Sequence, residues 1–475
     1  MQHHMSYDYL ASERSEGLYE AWLDKLFQQE VLREIGLFMK KHRGGVPKEL
    51  CNPVAGAFNA CLQMRFGDGG SALIRFPQPG NIRFPDEKVQ REVAIMRYLS
   101  DKTSIPVPFV LHYGMSSEGP AGMGPFILMD YISHAHNMTA ELNTPGLKRE
   151  DRPILDPHIP EEKLRFAYSQ MAGVLLKLSR HSFDQIGSLE EGTDGSWVVA
   201  GRPLTFNMNE LVSVGNFPPS NLPATNFKTA SSYFSALADM NLVHLSMQHN
   251  DAITSAEDCR YKYVSRHIFR RLVSEGKYPG TSEQGPKPFK LFCDDLRPSN
   301  VLVDDDGRIL GVIDWEFTYV APAEYTYSPP WWLLIEAPEK WPGGIDDWVR
   351  EYEPRLAIFW EVLEEQECAM IRDGSLTEDQ RLSVRMKESW ENGDFWVSYA
   401  MRKSWAFDAI FWEKINTNPR FFDRAGYEAG LSLLSEEERD GMVEFVRRKL
   451  AERETRILHN WEEDDVESYH IEGWV

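Results

Sequence analysis

Residues 291–316 form the segment that most constrains how this chain can fold. The segment reads LFCDDLRPSNVLVDDDGRILGVIDWE, in which two short apolar runs flank Asp-Asp-Asp-Gly. This alternation predicts a β-hairpin. Asp295, Asn300 and Asp314 lie at the ends of its strands. Their carboxylate and amide oxygens are ligands that Mg²⁺ prefers, and Mg²⁺ commonly holds substrate phosphates as well. The segment therefore predicts a phosphoryl-transfer site.

The same residues resemble the catalytic and metal-binding segments of the aminoglycoside phosphotransferase and choline kinase family, small-molecule relatives of the protein kinases. The shared pattern is Asp-x-x-x-x-Asn, a pair of hydrophobic strands and Ile-Asp-Trp-Glu. The resemblance extends over most of the chain. It implies an α+β, bilobal protein kinase-like fold with a small β-rich N-lobe and a larger, mainly helical C-lobe.

The resemblance also implies a role for each residue of the pattern. Asp295 would orient or deprotonate an acceptor hydroxyl group. Asn300 and Asp314 would bind the Mg²⁺ ions that bridge the phosphates of the donor nucleotide, ATP or GTP. Glu316 resembles the second acidic residue of the choline kinase pattern and suits an outer-sphere metal group. These roles together describe a phosphotransferase that acts on a small molecule with a hydroxyl group.

Length and charge set broader limits. A chain of 475 residues exceeds one compact core, so at least two core-forming units are expected. The formal net charge of −22 argues against nucleic acid as a partner, because phosphate binding needs a clustered basic surface. The acidic balance is compatible with a cationic acceptor. A solubilising surface explains the same charge without any ligand.

The five cysteines are irregularly spaced and odd in number: Cys51, Cys61, Cys259, Cys293 and Cys368. No Cys-x-x-Cys pair occurs, so neither a disulfide scaffold nor a structural zinc site is favoured. The N-terminal residues lack the pattern of a signal peptide, and no apolar run is long enough to cross a bilayer. We therefore expect a cytoplasmic protein without a membrane partner.

The chain divides into three predicted parts. Residues 1–50 form an N-terminal helical extension, because apolar residues recur at helical spacing between positions 15 and 41. This extension is expected to pack against the first lobe. Residues 51–132 form the nucleotide-binding N-lobe. Residues 133–475 form a C-lobe that contains the catalytic loop and the helices of the acceptor site.

A hairpin in the N-lobe supplies the predicted nucleotide-binding residues. Residues 54–76 read as strand, turn and strand, with Gly-Asp-Gly-Gly closing the turn. By resemblance, Gly56, Phe58 and Asn59 belong to a loop that covers the nucleotide. Arg75 on the following strand would reach its α- and β-phosphates and would be positioned by Glu92 from the next helix. An ordinary hairpin and a weak surface salt bridge explain the same residues structurally.

A buried strand at residues 126–129 leads into the predicted hinge between the lobes. The resemblance implies that the hinge backbone pairs with the edge of the nucleobase. Met129 would line the nucleotide pocket, and Asp130 and Tyr131 are hinge positions. Farther along the chain, residues 186–223 are rich in turn-forming residues and are predicted to be irregular. Trp331 and Trp332 are predicted to begin an apolar helix, although rings beside carboxylates also suit a cationic substrate.

One position departs from the family pattern. Two residues before the catalytic aspartate the family usually has a histidine that braces the metal-binding segment, and this chain has Cys293. A thiol is a weaker hydrogen-bonding partner, so the brace is expected to be absent or replaced. The sequence therefore leaves two functions open: a small-molecule kinase, or a kinase-fold protein that binds a ligand without transferring phosphate.

Overall fold

The computed structural model describes residues 4–148, 150–279 and 288–461. It shows two lobes. The smaller lobe is built on a six-stranded antiparallel sheet, and the larger lobe is mainly helical. The predicted α+β, bilobal fold is confirmed. None of the described helices is long and apolar enough to cross a membrane.

The N-terminal region contacts both lobes. Met5 is buried in the larger lobe, where its N–H donates a hydrogen bond to the carbonyl of Trp405 at 3.1 Å. Two predicted helices follow, α1 (Tyr9–Leu26) and α2 (Gln29–Arg43). They bury Trp22, Ile35 and other apolar side chains against the sheet of the smaller lobe, as expected. The sequence did not indicate the attachment of residues 4–8 to the larger lobe.

The sheet of the smaller lobe has the strand order β1-β3-β4-β6-β5, with β2 paired to β3. Its strands are β1 (Pro47–Leu50), β2 (Val54–Ala55), β3 (Asn59–Phe66), β4 (Ser71–Pro77), β5 (Val110–Gly114) and β6 (Phe126–Asp130). Helix α3 (Pro85–Lys102) connects β4 to β5. The predicted turn at residues 67–70 joins β3 to β4. Because β1 pairs with β3, the sheet begins at Pro47.

The first half of the larger lobe contains the predicted long helices and an additional hairpin. Its elements are β7 (His136–Asn137), α4 (Met138–Leu142), α5 (Glu161–Ser179), β8 (Ser188–Glu191), β9 (Trp197–Gly201), α6 (Phe206–Val214), α7 (Ala230–Met247) and α8 (Ala256–Ser274). The prediction that residues 186–223 are irregular is wrong. That region holds β8, β9 and α6, and the Thr205 hydroxyl caps α6 by accepting from the Met208 N–H at 3.1 Å. Short elements between many turn residues carry too few periods to be recognised.

The central segment forms two antiparallel pairs. Its strands are β10 (Lys290–Cys293), β11 (Val301–Val303), β12 (Ile309–Val312) and β13 (Thr318–Ala321). Strands β11 and β12 form the predicted hairpin, and β7 adds a third strand beside β11. Strand β10 pairs with β13, so the residues before Asp295 lie next to those after Asp314.

Helices complete the larger lobe. They are α9 (Ala323–Thr326), α10 (Ile345–Arg372), α11 (Leu382–Asn392), α12 (Asp394–Met401), α13 (Phe407–Ile410), α14 (Tyr427–Leu433) and α15 (Glu436–Glu454). The helix predicted to begin at Trp331 is a single 3₁₀ turn, Trp331–Leu334. Two prolines precede this turn, and Ile335 ends it with a left-handed φ of 67°. The prolines remove backbone donors, and the left-handed residue breaks the helical path.

Candidate active site

The β11–β12 hairpin brings the three oxygen-bearing residues together. Val301 pairs with Val312, and the Ile313 N–H donates to the Asn300 carbonyl at 2.9 Å. Asn300 and Asp314 therefore lie at the same end of the hairpin. The Asn300 side-chain amide donates to the Asp295 carboxylate at 2.8 Å and to the Asp295 carbonyl at 2.9 Å. All three predicted residues meet at one point in the cleft between the lobes.

Asp295 is held by its neighbours and is mostly buried. Its carboxylate lies 2.9 Å from Nε of Arg297 and accepts the hydrogen bond from Asn300. Burial raises the pKa of Asp295 above its usual value, and Arg297 and Asn300 oppose that rise. A carboxyl group with a raised pKa accepts a proton more readily than an exposed one. The geometry thus suits a base or an orienting group.

Arg75 projects from β4 into the cleft and contacts two carboxylates. Its guanidinium group pairs with Glu92 of α3 and with Asp314. The side chains of Arg75 and Glu92 are only 6% and 1% exposed, so this pair is not a weak surface salt bridge. The contact between Arg75 and Asp314 was not predicted. It joins the smaller lobe directly to the segment that follows β12.

A second buried cation, Lys88, lies beside this pair. Its ammonium group donates to Asn59 Oδ1 at 2.8 Å, pairs with Glu316 and lies 3.6 Å from Glu92. The Asn59 amide also donates to Glu316 at 3.0 Å. Glu316 is therefore enclosed by Lys88 and Asn59, which differs from the position expected of an outer-sphere metal group. Lys88 and Glu92 are four residues apart in one helix, and this spacing could have predicted their proximity from the sequence.

Asp314 occupies an electrostatically unusual position. Its backbone is left-handed, with a φ of 56°. Burial raises its pKa to about 7; Arg75 opposes this rise, and the carboxylates of Glu316 and Glu92 add to it. Carboxylate charge therefore exceeds the available positive charge here. A divalent cation would supply the missing positive charge and favour the ionised carboxyl group.

The donor set agrees with a magnesium ion that is shared with phosphates. Among the described residues, no group of three or more His, Cys, Asp and Glu side chains is arranged to hold a metal. The Asp314 side chain is 28% exposed, and the backbone bond from Ile313 to Asn300 places Asn300 at the same end of the hairpin. Mg²⁺ is commonly bound by one or two protein oxygens together with phosphates and water. Asp314 and Asn300 fit that arrangement.

The predicted nucleotide-covering loop bends down onto the larger lobe. The Gly56 N–H donates to the Asn59 carbonyl at 2.9 Å, which closes the loop. The Phe58 ring lies 5.2 Å from the ring of Phe206 and 5.9 Å from that of Phe317, both in edge-to-face geometry. The loop therefore covers the mouth of the cleft through Phe58, while Asn59 faces its interior. Phe206 was not predicted to be part of this site.

The residues just after the predicted hinge positions Asp130 and Tyr131 have two backbone N–H groups without a partner in the described part of the chain. Met129 lies on the cleft face of β6, opposite Leu73. The N–H groups of Asp130 and Tyr131 already donate to the carbonyls of Phe109, at 2.9 Å, and Ser71, at 3.2 Å. By contrast, the N–H groups of the next two hinge residues, Ile132 and Ser133, donate to no residue within the described ranges.

Cys293 is buried in β10, opposite Thr318 of β13. Burial raises the pKa of its thiol well above the usual range. We expect iodoacetamide at pH 8 to leave Cys293 unmodified in the folded protein, because only the thiolate reacts. Cys368 is exposed and serves as the internal control in peptide mass spectrometry. Modification of Cys293 as fast as Cys368 would contradict a purely structural role.

A cleft of about 670 Å³ opens beside Asp295. It extends over the larger lobe away from Arg75 and reaches the N-terminal residues 4–7. Aromatic side chains form much of its wall: Tyr7, Phe58, Phe206, Trp331 and Trp405. Its position against the predicted base makes it the candidate acceptor site.

Comparison with known proteins agrees with this geometry. A family model described as the phosphotransferase enzyme family, APH, matches residues 283–358. This match contains Asp295, Asn300 and Asp314. This part of the chain is similar to the phosphotransferase enzyme family. The resemblance predicted from the sequence is thus confirmed, and the phosphotransferase match falls on the segment that carries the motif.

Individual similar proteins were found in sequence and in structure. Clavilactone A biosynthesis cluster protein Y of Ampulloclitocybe clavipes is 49% identical over 303 aligned positions, and the match covers 58% of this chain and 62% of that protein. The chain thus spans less than two thirds of this curated relative.

Two solved kinase structures match this chain at low similarity. Macrolide 2'-phosphotransferase type I overlays with 13% identity and a TM-score of 0.39, covering 85% of this chain and 93% of that one. Plasmodium vivax ethanolamine kinase overlays with 12% identity and a TM-score of 0.37, covering 84% and 81%. Such distant overlays add nothing to the chemistry of the site, which rests on its own residues.

Proposed function

We propose that this protein transfers the γ-phosphoryl group of ATP or GTP to a hydroxyl group of a small molecule. The observation that carries the proposal is the meeting of Asp295, Asn300 and Asp314 with the buried Arg75–Glu92 pair in one cleft. Phosphoryl transfer depends mainly on positioning and on neutralising charge. This cleft contains a proton acceptor, oxygen ligands for a metal and a cation for the phosphates.

Each residue has a distinct task in this reaction. The acceptor oxygen bonds to the γ-phosphorus while the bond from that phosphorus to the β–γ bridging oxygen breaks, and the nucleoside diphosphate leaves. The hydroxyl proton passes to Asp295, which the Asn300 amide keeps in orientation. Arg75 contacts the phosphates and is itself positioned by Glu92. Mg²⁺ held by Asp314 and the Asn300 amide oxygen would neutralise the charge of the phosphates.

The nucleobase would bind at the hinge. The Ile132 and Ser133 N–H groups donate to its edge, and the side chains of Leu73 and Met129 pack against its face. The loop around Gly56 and Phe58 closes over the phosphates. Backbone donors at a hinge recognise a purine edge without a dedicated side chain, which agrees with either ATP or GTP as the donor.

A ligand-binding protein without transfer activity is the second candidate. Two observations favour it: Arg75 occupies the Asp314 carboxylate, and Cys293 stands where the related enzymes usually have histidine. If Arg75 stays on Asp314 when nucleotide binds, it competes with Mg²⁺ for that carboxylate and transfer is slowed or lost. Nucleotide binding and phosphoryl transfer therefore have to be measured separately.

The test combines both measurements with the substitution Asp314→Asn. In the wild type, we expect Mg²⁺ with a non-hydrolysable ATP or GTP analogue to raise the melting temperature, and γ-labelled nucleotide to pass label to a hydroxyl compound in an acceptor screen. In Asp314→Asn, stabilisation by the nucleotide analogue and transfer of label should each require an Mg²⁺ concentration at least about tenfold higher. Even supporting groups around a metal contribute about 10–100-fold to its affinity.

Asp306→Asn is the matched control, because Asp306 is an exposed carboxylate in the turn of the same hairpin. It should behave as the wild type. Stabilisation by Mg-nucleotide without transfer to any acceptor would favour the ligand-binding protein. Transfer that is unchanged in Asp314→Asn would contradict the assigned metal site.

A further inference from the structure

Two carboxylates that line the cleft beside Asp295 are neutralised by arginines. Glu336 pairs with Arg152, whose second nitrogen lies 3.3 Å from the other carboxylate oxygen. Asp294 pairs with Arg402 at 3.4 Å, and both side chains are buried. These acidic groups are therefore not available to bind a cationic ligand without first losing an arginine.

Two further carboxylates of the cleft accept hydrogen bonds from tyrosines. The Tyr399 hydroxyl donates to Glu339 at 2.7 Å, and the Tyr7 hydroxyl donates to Glu210 at 2.9 Å. Tyr7 belongs to the N-terminal residues that close one side of the cleft. Together with Asp295, which Arg297 and Asn300 engage, every carboxylate that lines this cleft has a partner within the described parts of the chain.

The lysines of the cleft are in the opposite situation. The side chains of Lys340 and Lys403 form no ion pair or hydrogen bond with any residue in the described ranges, although both line the cleft. The Lys403 ammonium group lies only over the ring of Phe206, 5.1 Å from its centroid. Burial lowers the pKa of Lys340, the charges of Arg152 and Lys403 lower it further, and the carboxylates of Glu339 and Glu210 oppose this fall. The cleft thus contains two ammonium groups that form no ion pair within the described ranges, although the carboxylates of Glu210 and Glu339 lie near enough to act on their charge.

The walls between these charges are apolar rings. Tyr7 and Trp405 meet edge to face with ring centroids 4.6 Å apart, and Phe58 and Phe206 do so at 5.2 Å. Trp331 lines the same cleft. Flat aromatic walls favour ligands with a planar or otherwise apolar body, because such contacts combine area burial with ring stacking.

We propose that the acceptor is a hydroxyl compound with a ring-shaped apolar body and an anionic group, and that Lys340 and Lys403 bind this anionic group. The proposal rests on the proposed function in one respect: it takes the cleft beside Asp295 as the acceptor site. Charge-assisted hydrogen bonds from two ammonium groups to one anion are strong in a partly desolvated cleft. A cationic acceptor, which the net charge of the chain suggested, would meet two lysines that form no ion pair in the described ranges, and it would have to share Glu210 or Glu339 with a tyrosine hydroxyl.

Four probes with the same phenol ring test this charge preference by isothermal titration calorimetry at low ionic strength. They are 4-hydroxyphenylacetate, 4-hydroxybenzylphosphonate, tyrosol and tyramine, which carry carboxylate, phosphonate, no charge and ammonium, respectively. We expect at least one anionic probe to bind at least about tenfold more tightly than tyramine, and the tighter of the two identifies a carboxylate or a phosphate as the natural group. The preference should fall below about twofold in Lys340→Gln/Lys403→Gln.

Lys228→Gln is the matched control, since Lys228 is exposed and lies outside the cleft; it should keep the preference. Tyrosol should bind the double variant as it binds the wild type, which shows that the cleft is intact. Any of four results would overturn the proposal. Tyramine could bind the wild type as tightly as the anions, or none of the probes could bind. In the double variant, the anionic preference could survive, or tyrosol binding could be lost.

These measurements need neither nucleotide nor phosphoryl transfer. If the anionic preference is found but no acceptor receives label, the proposed kinase function fails while the anion site remains. If transfer is found but the preference is absent, the proposed anion site fails while the kinase function remains.

Discussion

Replacing Asp295 by asparagine is expected to reduce phosphoryl transfer by about 10²–10⁴-fold, the usual contribution of a positioned general base. Asparagine has nearly the same shape as aspartate but cannot accept the hydroxyl proton. Because Asp295 lies on the acceptor side of the Asn300–Asp314 pair, the substitution should leave the Kd for Mg-nucleotide unchanged. The measurements are kcat from transfer of γ-label and Kd from calorimetry.

The matched control is Asp305→Asn, which makes the same change at an exposed position in the turn between β11 and β12. Full activity is expected for this control. Equal rates in Asp295→Asn and the wild type would show that Asp295 is not the base and would remove the main chemical support for a kinase. A loss of nucleotide affinity as large as the loss of rate would instead indicate that Asp295 shapes the nucleotide site.

Most residues that the sequence predicted to be neighbours are close together along the chain and are joined by local structure. Asp295, Asn300 and Asp314 are separated only by a hairpin, whose length and turn fix their proximity whatever the rest of the chain does. Arg75 and Glu92 were paired through resemblance to a family, and they are in contact across β4 and α3. The assigned roles of these residues stay predictions until variants are measured.

The acceptor side of the cleft could not be predicted in the same way. Tyr7 and Glu210 form a hydrogen bond although 203 residues separate them, and Met5 is fixed by a backbone bond to Trp405. Backbone contacts leave no side-chain pattern in the sequence. Phe206 was overlooked because its helix, α6, is short and lies in a turn-rich region. Long-range packing therefore decides which groups line the acceptor side of the cleft, and that packing cannot be predicted from a single sequence.

Replacing Lys88 by methionine is expected to destabilise the protein by about 3–5 kcal/mol, the usual cost of removing one partner from a buried ion pair. The substitution leaves Glu316, which is 3% exposed, with only the amide of Asn59 as a partner. An unpaired buried carboxylate either remains charged at high cost or takes up a proton. The effect can be measured from the urea midpoint and slope of unfolding.

The double variant Lys88→Met/Glu316→Gln measures how much of the lost stability is due to the Lys88–Glu316 pair itself. Because it removes both charges, it should recover a large part of the lost stability, with a coupling energy of about 1–3 kcal/mol. Lys102→Met is the control in the same helix, since Lys102 pairs with Asp101 in solvent and such pairs contribute about 0–1 kcal/mol. If the double variant is as unstable as Lys88→Met alone, Lys88 acts through Asn59 and Glu92 and not through Glu316. The connection between α3 and the metal-binding segment would then depend on Arg75 alone.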